Sequence, residues 1–275
     1  MQNLVNLRHL DVSETGLEEM PKKMSELKDL QFLSSYIVGK HEENGVGELG
    51  ELAHLHGSLW IEKLENVKNS GEASNARMDE KIHLNTLYLW WSTFEESEVC
   101  DSQSEKDVLD KLRPHKDLKK LSISCYRDEM PRKMSKLKDL QFLSCYIAGK
   151  HEENGIGELR ELTHLHGSLR IEKLENVKNS GEASNARMDE KIHLTTLYLS
   201  WSSFEESEDC DSQSEKDVLD KLCPHKDLKK LVIRRYRGQR IPSNASLQDV
   251  SRVKYLHACI GATLDTFSYE IFVDI

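Results

Sequence analysis

The sequence predicts a repeat solenoid of the α/β class, with one curved parallel sheet of about nine short strands and irregular helices and loops on its convex side. Three observations predict it. Aliphatic residues return in a fixed local phrase, three apart and then alternating, as in Leu4, Leu7, Leu10 and Val12. The phrase recurs every 22 to 34 residues, the length of one supersecondary unit rather than of a domain. Finally, residues 19–126 align without a gap on residues 129–236 and differ at only 16 of 108 positions. A closed globule would rarely survive such a duplication, whereas a stack of units simply becomes longer.

The strands are justified in order by one leucine each: Leu10, Leu33, Leu59, Leu87, Leu121, Leu143, Leu169, Leu197 and Leu231. Their steps are 23, 26, 28 and 34, then 22, 26, 28 and 34. The supporting runs are "ELAHLHGSLWIEKL" (residues 51–64), "HLNTLYLWW" (83–91) and "DLKKLSISCY" (117–126), with their second copies. In each, spaced leucines turn a corner and period-2 residues then lay down a strand pointing alternately in and out. This is the unit of a leucine-rich repeat; it cannot bury its leucines alone and must stack on neighbours. Unequal steps place insertions on the convex side. "ASNARMDEKIHL" (73–84) reads as helical, and "EESEVCDSQSEKDVLDKL" (95–112) as an acidic loop, solvated rather than a docking site, entering a helix. At the junction, "YRDEM" replaces the longer "SETGLEEM" and puts Arg127 where Leu17 stood, so one weak convex contact is expected there. The solenoid is expected over residues 1–243, with 244–275 as an atypical tail. The first unit opens on Leu4 and Leu7 without a polar cap, which predicts poor stability in isolation.

Composition narrows the function. A net charge of −10 argues against a phosphate-backbone binder, and hence against a nucleic-acid partner. No run approaches the ~18 apolar residues of a membrane span, and no secretory signal opens the chain. The six cysteines, Cys100, Cys125, Cys145, Cys210, Cys223 and Cys259, show no secreted-type framework and read as reduced thiols of a cytoplasmic protein. The sequon at residues 244–246 is then without meaning.

"NLVNLRHLDVSETGLEEMPKKMSELKDLQFLSSYIVGK" (3–40), "GELGELAHLHGSLWIEKLENV" (47–67), "LYLWWS" (87–92), "DVLDKLRPHKDLKKLSI" (107–123) and "YRGQRIPS" (236–243) together resemble a known family. They are similar to the leucine-rich-repeat region of plant coiled-coil nucleotide-binding disease-resistance receptors, legume-like, here truncated and internally duplicated. The resemblance implies cytoplasmic sensing of pathogen effectors or of host proteins altered by them, and restraint of a nucleotide-binding switch. It does not carry nucleotide binding over: "VGKHEENG" (38–45) lacks the upstream glycine and following hydroxyl of a phosphate loop.

Residues flanking the marker leucines should face the concave side. The predicted protein-binding residues are His9, Asp11, Phe32, Tyr36, Trp60, Glu62, Tyr88, Trp90 and Lys120, then Phe142, Tyr146, Arg170, Glu172, Tyr198, Lys230 and Arg234. Ser13, Ser34, Ser58, Thr86, Ser122, Ser124, Ser144, Ser168, Thr196, Ser200 and Val232 share that face. Rigid exposed aromatics suit interface anchors; the alternative is that they pack on one another along the sheet. Four of the twelve duplicated positions differ between copies: Trp60/Arg170, Trp90/Ser200, Ser122/Val232 and Ser124/Arg234.

No catalytic constellation is expected. His54 and His56, repeated as His164 and His166, lack a third ligand, so turn packing is the better reading than a metal. Cys100 and Cys210 lie among carboxylates, which disfavour the thiolate. No cofactor or metal is expected, and the partners are proteins: an effector, a guarded host protein, or a receptor's nucleotide-binding domain. The reading is a non-enzymatic recognition region, against a regulatory module or a gene-fragment product without activity.

Overall fold

If the repeat phrase is correctly phased, equivalent leucines must stand beside one another across parallel strands. In the computed structural model they do. The structure describes residues 4–92, 102–202, 212–237 and 255–260, in two compact units spanning residues 1–131 and 132–275. The acidic loops with Cys100 and Cys210, the sequon, and most of the expected tail lie outside the described residues.

In the first unit β1 (His9–Leu10) pairs in parallel with β2 (Phe32–Leu33), placing Leu10 beside Leu33. Next come β3 (Ser35–Ile37), β4 (Gly57–Glu62), β5 (Leu84–Trp90) and β6 (Lys120–Ser124), all parallel, with Leu59 beside Leu87 and Leu87 beside Leu121. The second unit contains β7 (Phe142–Leu143), β8 (Cys145–Ile147), β9 (His166–Glu172), β10 (His193–Ser200), β11 (Lys230–Tyr236) and β12 (Tyr255–Ile260). The last five form one parallel ladder in the order β12-β11-β10-β9-β8. Leu169 stands beside Leu197 and Leu197 beside Leu231. Strand β12 continues the ladder, with Leu256 beside Leu231. Residues 255–260 thus add one strand to the ladder within the segment expected to be an atypical tail.

The core runs behind each ladder. Leu27, Leu30, Leu33, Leu52, Leu55, Leu59, Leu64 and Leu87 are all buried, as are their second-copy counterparts. Each contributes about 1.5–3 kcal/mol by leaving water. Leu17 is exposed, so it makes no core contact for Arg127 to weaken: the loss expected at the junction is absent.

The convex side is mostly short 3-10 turns. The helix expected over residues 73–84 is instead α1 (Ser70–Asn75) followed by a 3-10 turn at Met78–Glu80, because Arg77 adopts a left-handed φ of 47° between them. Asn69 caps α1, its Oδ1 accepting from Glu72 N at 3.0 Å. The Glu72 carboxylate in turn accepts from Lys68 N and Val46 N, tying the helix start to the preceding repeat. Helix α2 (Ser102–Lys111) follows, and α3 (Ser180–Asn185) and α4 (Ser212–Lys221) repeat the pair.

Two lysines break the usual partition. Lys81 is buried, and its Nζ donates to Leu49 O at 2.7 Å and Leu52 O at 3.2 Å, carbonyls at the end of the 3-10 segment Val46–Glu51. Lys191 does the same with Leu159 O and Leu162 O at 2.7 and 3.3 Å. Burial pushes both amines down to about 8.

Candidate functional site

The positions beside the marker leucines form one face of each ladder. Fourteen of the sixteen predicted binding residues are exposed or half-buried on it, and two are not. Counting from Leu33 and Leu59 sets Ser34 opposite Trp60 and Tyr36 opposite Glu62. The observed register sets Ser35 opposite Trp60 and Tyr36 opposite Ile61, while Trp60 N still donates to Ser34 O at 3.2 Å. Ser34 is therefore the extra residue of a β-bulge, and a one-residue slip sends every later side chain to the other face. Tyr36 is fully buried, and its hydroxyl donates to Gly45 O at 2.7 Å. In the second unit Cys145 faces Arg170, Tyr146 faces Ile171, and the Tyr146 hydroxyl donates to Gly155 O at 2.6 Å. Tyr36 and Tyr146 are core residues, and Ser35, buried, and Cys145, half-buried, take the register positions opposite Trp60 and Arg170. Val232 and Thr86 are also buried rather than open.

The exposed aromatics partly stack, as the packing alternative required. Trp60 lies on Tyr88 with ring centroids 4.0 Å apart and planes within 10°, and His9 on Phe32 at 4.7 Å. Yet Trp60 keeps 38% of its surface in water and Trp90 42%. Stacking and availability are therefore compatible.

At the β1 end the face deepens into a pocket of about 490 Å³, lined by residues 11–15, Leu17, Phe32, Ser34, Ser35, Ile37, Ser58, Trp60 and Glu62. The wall at residues 13–17 escaped sequence reasoning; its signal was the extra length of "SETGLEEM" over "YRDEM". Glu14 turns that wall with a left-handed φ of 57°. The Asp11 carboxyl is held below its ordinary range by hydrogen bonds from Ser13 Oγ and N and from Ser34. Glu62 accepts from Ser35 Oγ. Three carboxylates line the pocket and no lysine or arginine does.

The second unit presents different chemistry at the same positions. Arg170, which replaces Trp60, sets Nη1 3.5 Å from Glu172 and its guanidinium 5.6 Å from the Tyr198 ring centre. Lys230 Nζ lies 5.8 Å from the same ring. With Arg234 this makes a cationic stripe where the first unit has Trp60, Lys120 and Ser124. His54, His56, His164 and His166 are exposed, and among the described residues no three potential ligands converge. Among those residues no helix is long and apolar enough to cross a membrane.

The sequence profile described as R13L1/DRL21 LRRs matches residues 46–152 and again 156–263. Disease resistance protein RGA2 of Solanum bulbocastanum is 37% identical over 98 residues, covering 36% of this chain and 10% of that protein. RPP13-like protein 1 of Arabidopsis thaliana is 36% identical over 113 residues, covering 39% and 11%. The chain thus spans about a tenth of these curated relatives. Among solved structures, an internalin (inlF) from Listeria monocytogenes is similar, with a TM-score of 0.44 and 15% identity over 95% of this chain and 63% of that one.

Proposed function

Since the chain belongs to the R13L1/DRL21 leucine-rich-repeat family of plant disease-resistance proteins, we propose that it recognises another protein through the exposed face of its parallel ladders. The partner is a pathogen effector or a host protein altered by one, met in the cytoplasm, and recognition involves no catalysis. One observation carries the reading. Trp60 and Trp90 hold their indoles in water on a rigid strand backbone, where interface anchors are found, although burial was available a residue away. The duplicated copy keeps the scaffold and exchanges these two residues for Arg170 and Ser200. Selection or drift thus altered the contact chemistry while the core changed only mildly, as at Val38/Ala148 and Val46/Ile156.

The test is a pull-down of this chain against a panel of cloned effectors. Substituting Trp60→Arg and Trp90→Ser, the residues the second copy already tolerates, should abolish any interaction found while leaving the melting temperature within a few degrees. Unchanged effector binding by that variant would refute the reading. A regulatory role draws support from the cationic stripe of Arg170, Lys230 and Arg234, which suits an acidic domain surface. In a full-length receptor it would show as constitutive signalling after charge reversal of that stripe, with effector binding intact.

A further inference from the structure

The two copies answer a question about each other. In the second unit a guanidinium lies between a carboxylate, Glu172, and an aromatic ring, Tyr198, and the protein supplies it from Arg170. In the first unit the carboxylate and the ring are both kept, as Glu62 and Tyr88, but Trp60 stands where the arginine would be. Among the described residues no lysine or arginine pairs with Glu62, whose carboxylate instead borders the pocket, with Asp11 and Glu14 on the facing wall. The cation that the second copy provides internally is thus missing from the first, where Glu62 is kept and Trp60, stacked on Tyr88, offers its own aromatic surface to the pocket in that ring's place.

We infer that the first-unit pocket takes an arginine side chain from an extended segment of a partner protein. Its guanidinium sits against Glu62 and stacks on Trp60; Asp11 and Glu14 neutralise the remaining field, and Phe32 covers the aliphatic stem. This deepens the proposed recognition role and rests on it. Arginine fits better than lysine because its planar, weakly hydrated cation can pair with a carboxylate edge-on while lying flat on an indole. The volume of about 490 Å³ suffices for one such side chain with flanking backbone. The hydrogen bond from Ser35 Oγ orients Glu62 beforehand, so little ordering is needed at binding.

The experiment uses the full chain and the blocked tripeptide Ac-Ala-Arg-Ala-amide, followed by saturation-transfer NMR on the peptide, with the citrulline analogue as its uncharged isostere. The arginine peptide should show saturable transfer, and citrulline should bind at least about fivefold more weakly. Glu62→Gln should weaken the arginine peptide by a similar factor, and the distant surface change Asp79→Asn should not. Trp60→Arg, which rebuilds the Arg170–Glu172 pair in the first unit, should abolish binding by filling the site from within. Equal binding of arginine and citrulline, or undiminished binding to Glu62→Gln or Trp60→Arg, would overturn the inference. The two readings fail separately. If effector capture still depends on Trp60 and Trp90 while the arginine peptide is ignored, recognition stands and the arginine assignment falls. If the peptide binds as described but effector capture is indifferent to both tryptophans, the pocket stands and the recognition role falls.

Discussion

Lys81 and Lys191 should give this protein an alkaline rise in stability. Each amine titrates near 8 when folded against 10.5 in a free chain, with desolvation as the main cause. Between those values the unfolded chain holds a proton that the folded chain has released, so stability rises with pH there and is lost as pH falls through about 8. A shift of this size corresponds to about 3 kcal/mol per lysine at neutral pH, of which about 2 kcal/mol is recovered between pH 8 and 10. The geometry suits the neutral form: an amine has two hydrogens for the two carbonyls, whereas an ammonium has a third with nowhere to go. Above pH 10 the buried tyrosines oppose the gain. Tyr36, Tyr126 and Tyr146 are pushed far above their ordinary range by burial and Tyr236 up to about 12, so unfolding releases phenolic protons. The assay is urea unfolding at pH 7 to 10 for the wild type, Lys81→Met and Lys191→Met. Each methionine should flatten its share of the slope, about 2 kcal/mol over pH 8 to 10, whatever it does to absolute stability. A wild-type slope retained in both variants would refute the reasoning.

Tyr36→Ala should cost about 4 kcal/mol and Trp60→Ala only about 1, a ranking opposite to that expected if both faced solvent; chemical denaturation measures it. Tyr36→Phe should cost about 1–2 kcal/mol by leaving Gly45 O without its donor. Gly39→Ala should cost about 2 kcal/mol or more in the same assay. Its Cβ would lie 2.2 Å from the Asn44 amide, which is buried and pinned by His41 N. Asn69→Ala and Asn179→Ala should each cost about 1 kcal/mol through loss of a helix cap, read as a fall in melting temperature.

What the sequence disclosed, and what it hid, divides along physical lines. Marker leucines were legible because one side chain per strand does one job in every unit, and the ladders pair Leu59, Leu87 and Leu121, and Leu169, Leu197 and Leu231, where counting placed them. Tyr36 and Tyr146 were not, because the bulge before them is a backbone event at ordinary residues, Ser34 and Ser144. Nothing in "FLSSYI" announces that the alternation loses step. Lys81 was hidden for another reason: inside "MDEKIHL" it reads as a solvated charge, yet carbonyls about 30 residues away decide its burial. Its neighbour Ile82 shows the inversion from the other side, lying more than half exposed. The pocket escaped because its outer wall precedes the duplicated segment and has no second copy to set it in relief.

The extra residue at Ser34 also matters to anyone wishing to redirect this surface. A combinatorial library that randomises every second codon from Phe32 would diversify Tyr36, and most of its members would fail to fold. Moving the diversified codon by one after the serine pair, to Ser35, which lines the pocket, keeps the phenol in place. The screened variants would then differ in what they hold rather than in whether they stand.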